Sequence, residues 1–151
     1  MFAGFVATLA MTALMYMGPM MGMPKMDIAG MLGSLFNGME MVGGYSPQWW
    51  MGMVLHFING AIIFPLIYVF ILHQVLPGPN VVKGMTWGFI LFVLAQVMVM
   101  PMMGMGFFTS AAPNQMMMVM GSLIGHLLYG AVFGGLAAAA QPEGATHLEA
   151  Q

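Results

Sequence analysis

Two histidines lie inside long apolar stretches of this sequence, where an ionisable side chain is costly and therefore raises a functional hypothesis. His56 and His126 are each followed four residues later by a glycine, Gly60 and Gly130, which shares the same helical face. Two imidazoles on facing helices can supply both axial ligands of a b-type haem. A glycine beside each ring would leave room for a flat porphyrin. One interpretation of these four residues is therefore a bis-histidine haem site.

Methionines offer a second chemistry, because thioether and imidazole ligands suit Cu(I). The segment from Pro19 to Met23 recurs letter for letter from Pro101 to Met105, in a chain that has 23 methionines. The copper interpretation combines the two histidines with six methionines of this repeated segment: His56, His126, Met20, Met21, Met23, Met102, Met103 and Met105.

A third interpretation gives the same residues a purely structural role. Methionine is an adaptable apolar filler, and glycines spaced four apart allow membrane helices to pack closely. The histidines would then form hydrogen bonds within the bundle, and the candidate partners are Asn59, Gln96, Tyr129 or a backbone carbonyl. The sequence leaves all three interpretations open.

The composition indicates that the elements carrying these residues are solvated by lipid. Of the 151 residues, 61% are hydrophobic and 4% are charged, whereas a water-soluble domain has about a quarter charged residues. A net charge of −2 with only two basic residues argues against a nucleic-acid partner. The absence of cysteine excludes disulfides, thiolate metal sites and iron–sulfur clusters. The expected surroundings are the lipid bilayer and other membrane protein subunits.

Four stretches reach the roughly 20 apolar residues that a bilayer-spanning helix needs. They predict an all-α transmembrane four-helix bundle, in which Pro65 and Pro101 bend the second and third spans. The chain then forms a single domain over residues 1–141, followed by a polar tail over 142–151. The predicted spans cover residues 2–22, 49–76, 82–108 and 115–140.

The first connection contains its own helical pattern. Apolar residues from Ile28 to Met39 follow a helical spacing, and Asp27 is a suitable N-cap. We predict a short amphipathic helix over residues 27–41 that lies in the membrane interface or folds over the bundle.

An internal duplication relates the two halves of the chain. Besides the repeated Pro-Met-Met-Gly-Met segment, the residues from His56 to Ala61 align with those from His126 to Ala131. The two pairs occur in the same order, and the amphipathic segment accounts for the unequal spacing. We therefore predict two duplicated helical hairpins related by an approximate two-fold axis along the membrane normal. This symmetry would place both histidines at one depth near one membrane face.

The stretch from Gly18 to Gly33, GPMMGMPKMDIAGMLG, resembles small bacterial four-helix integral membrane proteins. Some of these proteins are found alongside respiratory oxidases. The resemblance implies a multi-pass protein of the bacterial inner (cytoplasmic) membrane in a bioenergetic or copper-related setting. It carries over no catalytic residues.

Three classes of function remain open at this stage. The first expectation is an accessory subunit or assembly partner of a larger membrane complex. The alternatives are a haem- or copper-binding protein that uses the paired histidines, and a small transporter or channel. No recognised hydrolase, phosphate-loop or metalloprotease motif occurs in the sequence, which argues against an enzyme.

Overall fold

The computed structural model describes residues 1–38, 40 and 42–139. Over these residues the chain is helical with connecting turns and contains no strand, which confirms the predicted all-α fold. Four helices are long and apolar enough to cross a membrane, and a short helix, α2 (Ile28–Gly33), lies in the first connection. The four long helices are α1 (Phe2–Met21), α3 (Pro47–Leu72), α4 (Asn80–Met102) and α5 (Gln115–Ala139).

The helix bounds differ from the predicted spans mainly at the second and third helices. α3 ends before residue 76, and α4 begins directly after Pro79, because Gly78 with φ of +94° forms a turn between them. α4 also ends well before residue 108, near Gly104, whose φ of +74° is incompatible with a continuing helix. The predicted tail over 142–151 lies outside the described residues.

Pro65 and Pro101, the prolines predicted to bend the second and third spans, are each preceded by a wide, π-helical turn. These turns cover Asn59–Ile63 before Pro65 and Ala95–Val99 before Pro101. Proline has no N–H to donate, and its ring clashes with the carbonyl of the residue four positions earlier. A wide turn relieves that clash and often occurs at functional sites. In α3 it begins three residues after His56.

Each hairpin is held together by a glycine of its first helix packed on its second. A side chain at Gly84 of α4 would collide with the carbonyl oxygen of Gly130 on α5. In the same way, a side chain at Gly4 of α1 would meet the carbonyl oxygen of Gly60 on α3. The predicted duplication aligns Gly60 with Gly130, and in the structure the carbonyl of each lies against a glycine of the preceding helix. α1 also packs along α5, and this contact closes the bundle.

The short helix α2 folds over the end of the bundle. It is shorter than the predicted 27–41, because the chain continues only as a 3-10 turn over Ser34–Phe36 and then turns at Gly38, with φ of +61°. The predicted N-cap is confirmed, since Asp27 accepts a hydrogen bond of 3.0 Å from the backbone N–H of Gly30. Met31 on this helix is 3% exposed, so its apolar face covers the bundle.

Candidate functional site

A cavity of about 110 Å³ lies at the centre of the bundle, beneath α2. His56 from α3 and His126 from α5 both line it, so the structure brings the two predicted histidines to one site. Its other polar lining residues are Thr8, Asn59, Ser122 and Tyr129. Its sulfur-containing lining residues are Met11, Met15, Met26, Met31 and Met100.

The imidazole of His126 is oriented by its own helix. Its Nδ1 lies 2.7 Å from the backbone carbonyl oxygen of Ser122, one turn earlier on α5. A carbonyl oxygen can only accept, so Nδ1 carries the hydrogen and Nε2 keeps a free lone pair. The side chain of Gln96 on α4, which is fully buried, donates to the Ser122 hydroxyl at 3.1 Å. This contact ties α4 to the turn that holds the ring.

The imidazole of His56 is oriented by α1. Its Nε2 lies 2.9 Å from Oγ1 of Thr12. Thr12 Oγ1 also donates to the carbonyl oxygen of Thr8 at 2.7 Å, which uses its only hydrogen. Nε2 of His56 therefore donates to Thr12, and Nδ1 keeps the free lone pair. Each histidine thus has one nitrogen fixed by a hydrogen bond and one nitrogen available as a ligand, as is usual for metal-binding histidines.

The hydrogen-bond partners of the histidines are only partly those considered from the sequence. A backbone carbonyl does hold His126, but Gln96 reaches Ser122 and not an imidazole. The Tyr129 hydroxyl donates to the Gly60 carbonyl at 2.7 Å, which joins α5 to α3. Sequence reasoning missed Thr12 and Ser122. The four-residue spacing from Ser122 to His126 was a usable signal, whereas Thr12 lies on another helix.

The structure does not bring the six predicted methionines to the histidines. Met20, Met21 and Met102 are 85%, 68% and 59% exposed, and Met103 is buried in a cluster with Met100 but does not line the cavity. The remaining two, Met23 and Met105, are also absent from the cavity lining.

The five thioethers that do line the cavity are all buried. Two of them, Met11 and Met15, lie one turn apart on the inner face of α1, a spacing that could have been recognised.

The two glycines of the haem interpretation serve helix packing. Gly60 lines the cavity, but a side chain there would collide with Thr8. Gly130 lies outside the cavity lining, against the backbone of Gly84. The cavity of about 110 Å³ is smaller than the ~300–1,000 Å³ of sites that hold drug-sized ligands. A porphyrin would therefore fit only if the helices separated.

A small ion fits the cavity better than a macrocycle does. Among the residues that the structure describes, no cluster of three or more His, Cys, Asp or Glu could hold a metal. Any metal ion at this site would therefore need ligands of another kind beside the two imidazoles, and the buried thioethers are the softest donors in the cavity lining. The cavity supplies both kinds of group.

Residues 1–147 match the family described as "Family of unknown function (DUF6789)". The chain belongs to this family. The match includes all five helices, so the cavity lies entirely within the DUF6789 region. Neither the curated proteins nor the solved structures gave a match to the chain. Membership of DUF6789 assigns no activity.

Proposed function

We propose that this membrane protein binds a cuprous ion, Cu(I), in the cavity between its helices. The observation that carries the proposal is that His56 and His126, one from each hairpin, line a single cavity together with five buried thioethers. The ligand atoms would be Nδ1 of His56, Nε2 of His126 and one or more of those sulfurs. The hydrogen bonds that the imidazoles donate to the Thr12 hydroxyl and the Ser122 carbonyl support these two nitrogen assignments.

The charge of the lining residues favours a soft, monovalent cation. None of the described residues that line the cavity is an aspartate or a glutamate. An ion bound there keeps its charge in a medium of low dielectric constant, which costs more for a divalent ion than for a monovalent one. Calcium and magnesium also require oxygen ligands, whereas neutral imidazole and thioether groups suit Cu(I).

Anaerobic titration of the purified protein with Cu(I), against a chromophoric chelator, tests the proposal. We expect stoichiometric binding that is lost to a matching extent in His56→Ala and His126→Ala. His73→Ala is the matched control, because His73 lies in the turn region at the other end of α3 and does not line the cavity. The proposal fails if the wild-type protein does not bind Cu(I) stoichiometrically. It also fails if one of the two histidine variants keeps wild-type Cu(I) binding while the other loses it.

We propose the bacterial inner membrane as the setting, with the protein as an accessory subunit or assembly partner of a larger respiratory complex. The resemblance of the segment from Gly18 to Gly33 supports this setting, as does the apolar outer surface. Side chains such as Phe70 and Val69, 73% and 54% exposed, would contact lipid or neighbouring subunits.

Gentle solubilisation at native expression levels tests the proposed setting. We expect the protein to co-purify with a stable complex whose optical spectrum contains haem bands. Purification of the chain alone would contradict the subunit role and leave the Cu(I) measurement unaffected.

A further inference from the structure

A second depression, of about 340 Å³, lies at the end of the bundle where α1 and α4 end. Its lining residues include charged groups, which distinguishes it from the central cavity. They are Lys25, Asp27, Met31, Val42, Gly43, Met105 and Met118. We call this depression the vestibule. Since lysine and aspartate lie at the ends of membrane spans and not within them, the vestibule faces the aqueous boundary.

Met31 lines both the vestibule and the central cavity. It is 3% exposed and belongs to α2, the helix that folds over the bundle. Its side chain therefore forms the wall between the two spaces. A methionine is well suited to this position because its unbranched side chain has three rotatable bonds and can move without disturbing the backbone.

Thioethers continue outward from this wall. Met105, just beyond the end of α4, and Met118, in the first turn of α5, line the vestibule with Met31. The sulfurs of Met23 and Met26 both approach Gly121, and Met26 also lines the central cavity. A side chain at Gly121 would lie 2.9 Å from the Met26 sulfur, so glycine at this position leaves room for the sulfur.

We infer that the vestibule is the entrance through which Cu(I) reaches the cavity, with Met31 as the gate. The inference rests on the proposed Cu(I) binding. An incoming ion exchanges its solution ligands for the thioethers of Met105 and Met118, then binds Met31, and then the imidazoles. Each step replaces one ligand of the ion with a neutral thioether or imidazole, so the ion remains Cu(I) and no electron is transferred. Entrance by this route is from the membrane face that carries the first connection.

The test compares the rate of Cu(I) loading with the amount bound at equilibrium, in protein reconstituted into lipid nanodiscs. The vestibule variant is Met105→Leu/Met118→Leu, and the gate variant is Met31→Leu. We expect both to load at least about tenfold more slowly, which corresponds to 1.36 kcal/mol in the barrier, and the vestibule variant to reach full loading at long times. The control is Met20→Leu/Met102→Leu, which removes two exposed methionines outside both spaces and leaves the rate unchanged.

The possible outcomes distinguish the proposed entry of Cu(I) through the vestibule from the proposed binding of Cu(I) in the cavity. If the wild-type protein binds no Cu(I), the proposed function is contradicted. If the wild type binds Cu(I) stoichiometrically but both the vestibule and the gate variants load at the wild-type rate, only the proposed entrance route is contradicted. Incomplete loading of the vestibule variant at equilibrium also contradicts the route, because its methionines would then belong to the final site. A second variant, Met105→Cys, keeps a sulfur at a partly exposed position of the vestibule and controls for a change in folding: it should load Cu(I) before modification by a bulky maleimide and fail to load after it.

Discussion

At the residue scale, the site consists of two imidazoles whose free nitrogens are set by hydroxyl and carbonyl neighbours. The sequence predicted that His56 and His126 act together, because the duplication places them at equal positions in two hairpins. The spacing of Met11 and Met15 was a usable signal for two of the accompanying methionines, but those of the first connection could not be predicted. Their positions depend on the path of the chain into α2, which leaves no periodic signal in residues 18–27.

The hydroxyl of Thr12 is predicted to matter for affinity and little for folding. Thr12→Val keeps the shape of the side chain but removes the group that accepts from Nε2 of His56. Loss of a partner that orients a metal ligand typically weakens binding about 10–100-fold. We expect a weakening of this size in the Cu(I) titration.

Thr86→Val is the matched control for this substitution. Thr86 also donates to a carbonyl one turn earlier on its helix, that of Val82 at 2.9 Å, but it is exposed and does not line the cavity. Its Cu(I) affinity should equal that of the wild type. Equal affinities of the two variants would show that the hydroxyl of Thr12 does not orient His56.

At the scale of elements, glycine contacts fix how closely the helices approach. The four spans could be predicted because their length and apolar character follow from the sequence alone. The small-residue pattern on α5 indicated close packing, but not its partner. The structure identifies α4 as that partner, with Gly134 against the carbonyl of Asn80 and Gly130 against that of Gly84.

Alanine should therefore lower the stability of the protein at one glycine of α5 and raise it at the adjacent glycine. In Gly134→Ala the new methyl collides with the Asn80 carbonyl, and overpacking of this kind costs about 1–3 kcal/mol. In Gly135→Ala the nearest neighbour, a Val81 methyl, is 3.9 Å away, so the gain in helix propensity, about 1 kcal/mol, dominates. Thermal unfolding in detergent, followed by circular dichroism, measures both changes. A Gly134→Ala variant as stable as Gly135→Ala would contradict the described α4–α5 packing.

At the scale of the whole molecule, four spans place the two connections that flank α3 on opposite faces of the membrane. The first connection and the beginning of α5 share the face of the vestibule. The turn between α3 and α4 lies on the other face. The sequence predicted this arrangement of faces, but it gave almost no signal for which face is cytoplasmic, because one lysine falls on each side.

Single cysteines can test this arrangement directly, since the natural sequence has none. We expect a membrane-impermeant maleimide to label Met20→Cys and Met116→Cys from one side of sealed vesicles, and Val75→Cys only from the other. These three positions are 85%, 73% and 69% exposed. Ala7→Cys, at a fully buried position, is the control and should react only after denaturation. Labelling of all three exposed positions from the same side would refute the four-span topology.

The contact between α1 and α5 has a consequence for biosynthesis. The first and last spans are neighbours in the folded bundle, and the cavity takes residues from both. As the chain leaves the ribosome, His56 enters the bilayer long before His126 has been translated. The proposed ligand set is therefore complete only when α5 docks, and a nascent chain stalled before His126 carries a single imidazole of the pair. The proposed binding of Cu(I) by both histidines would then follow the insertion of α5 rather than accompany that of α3.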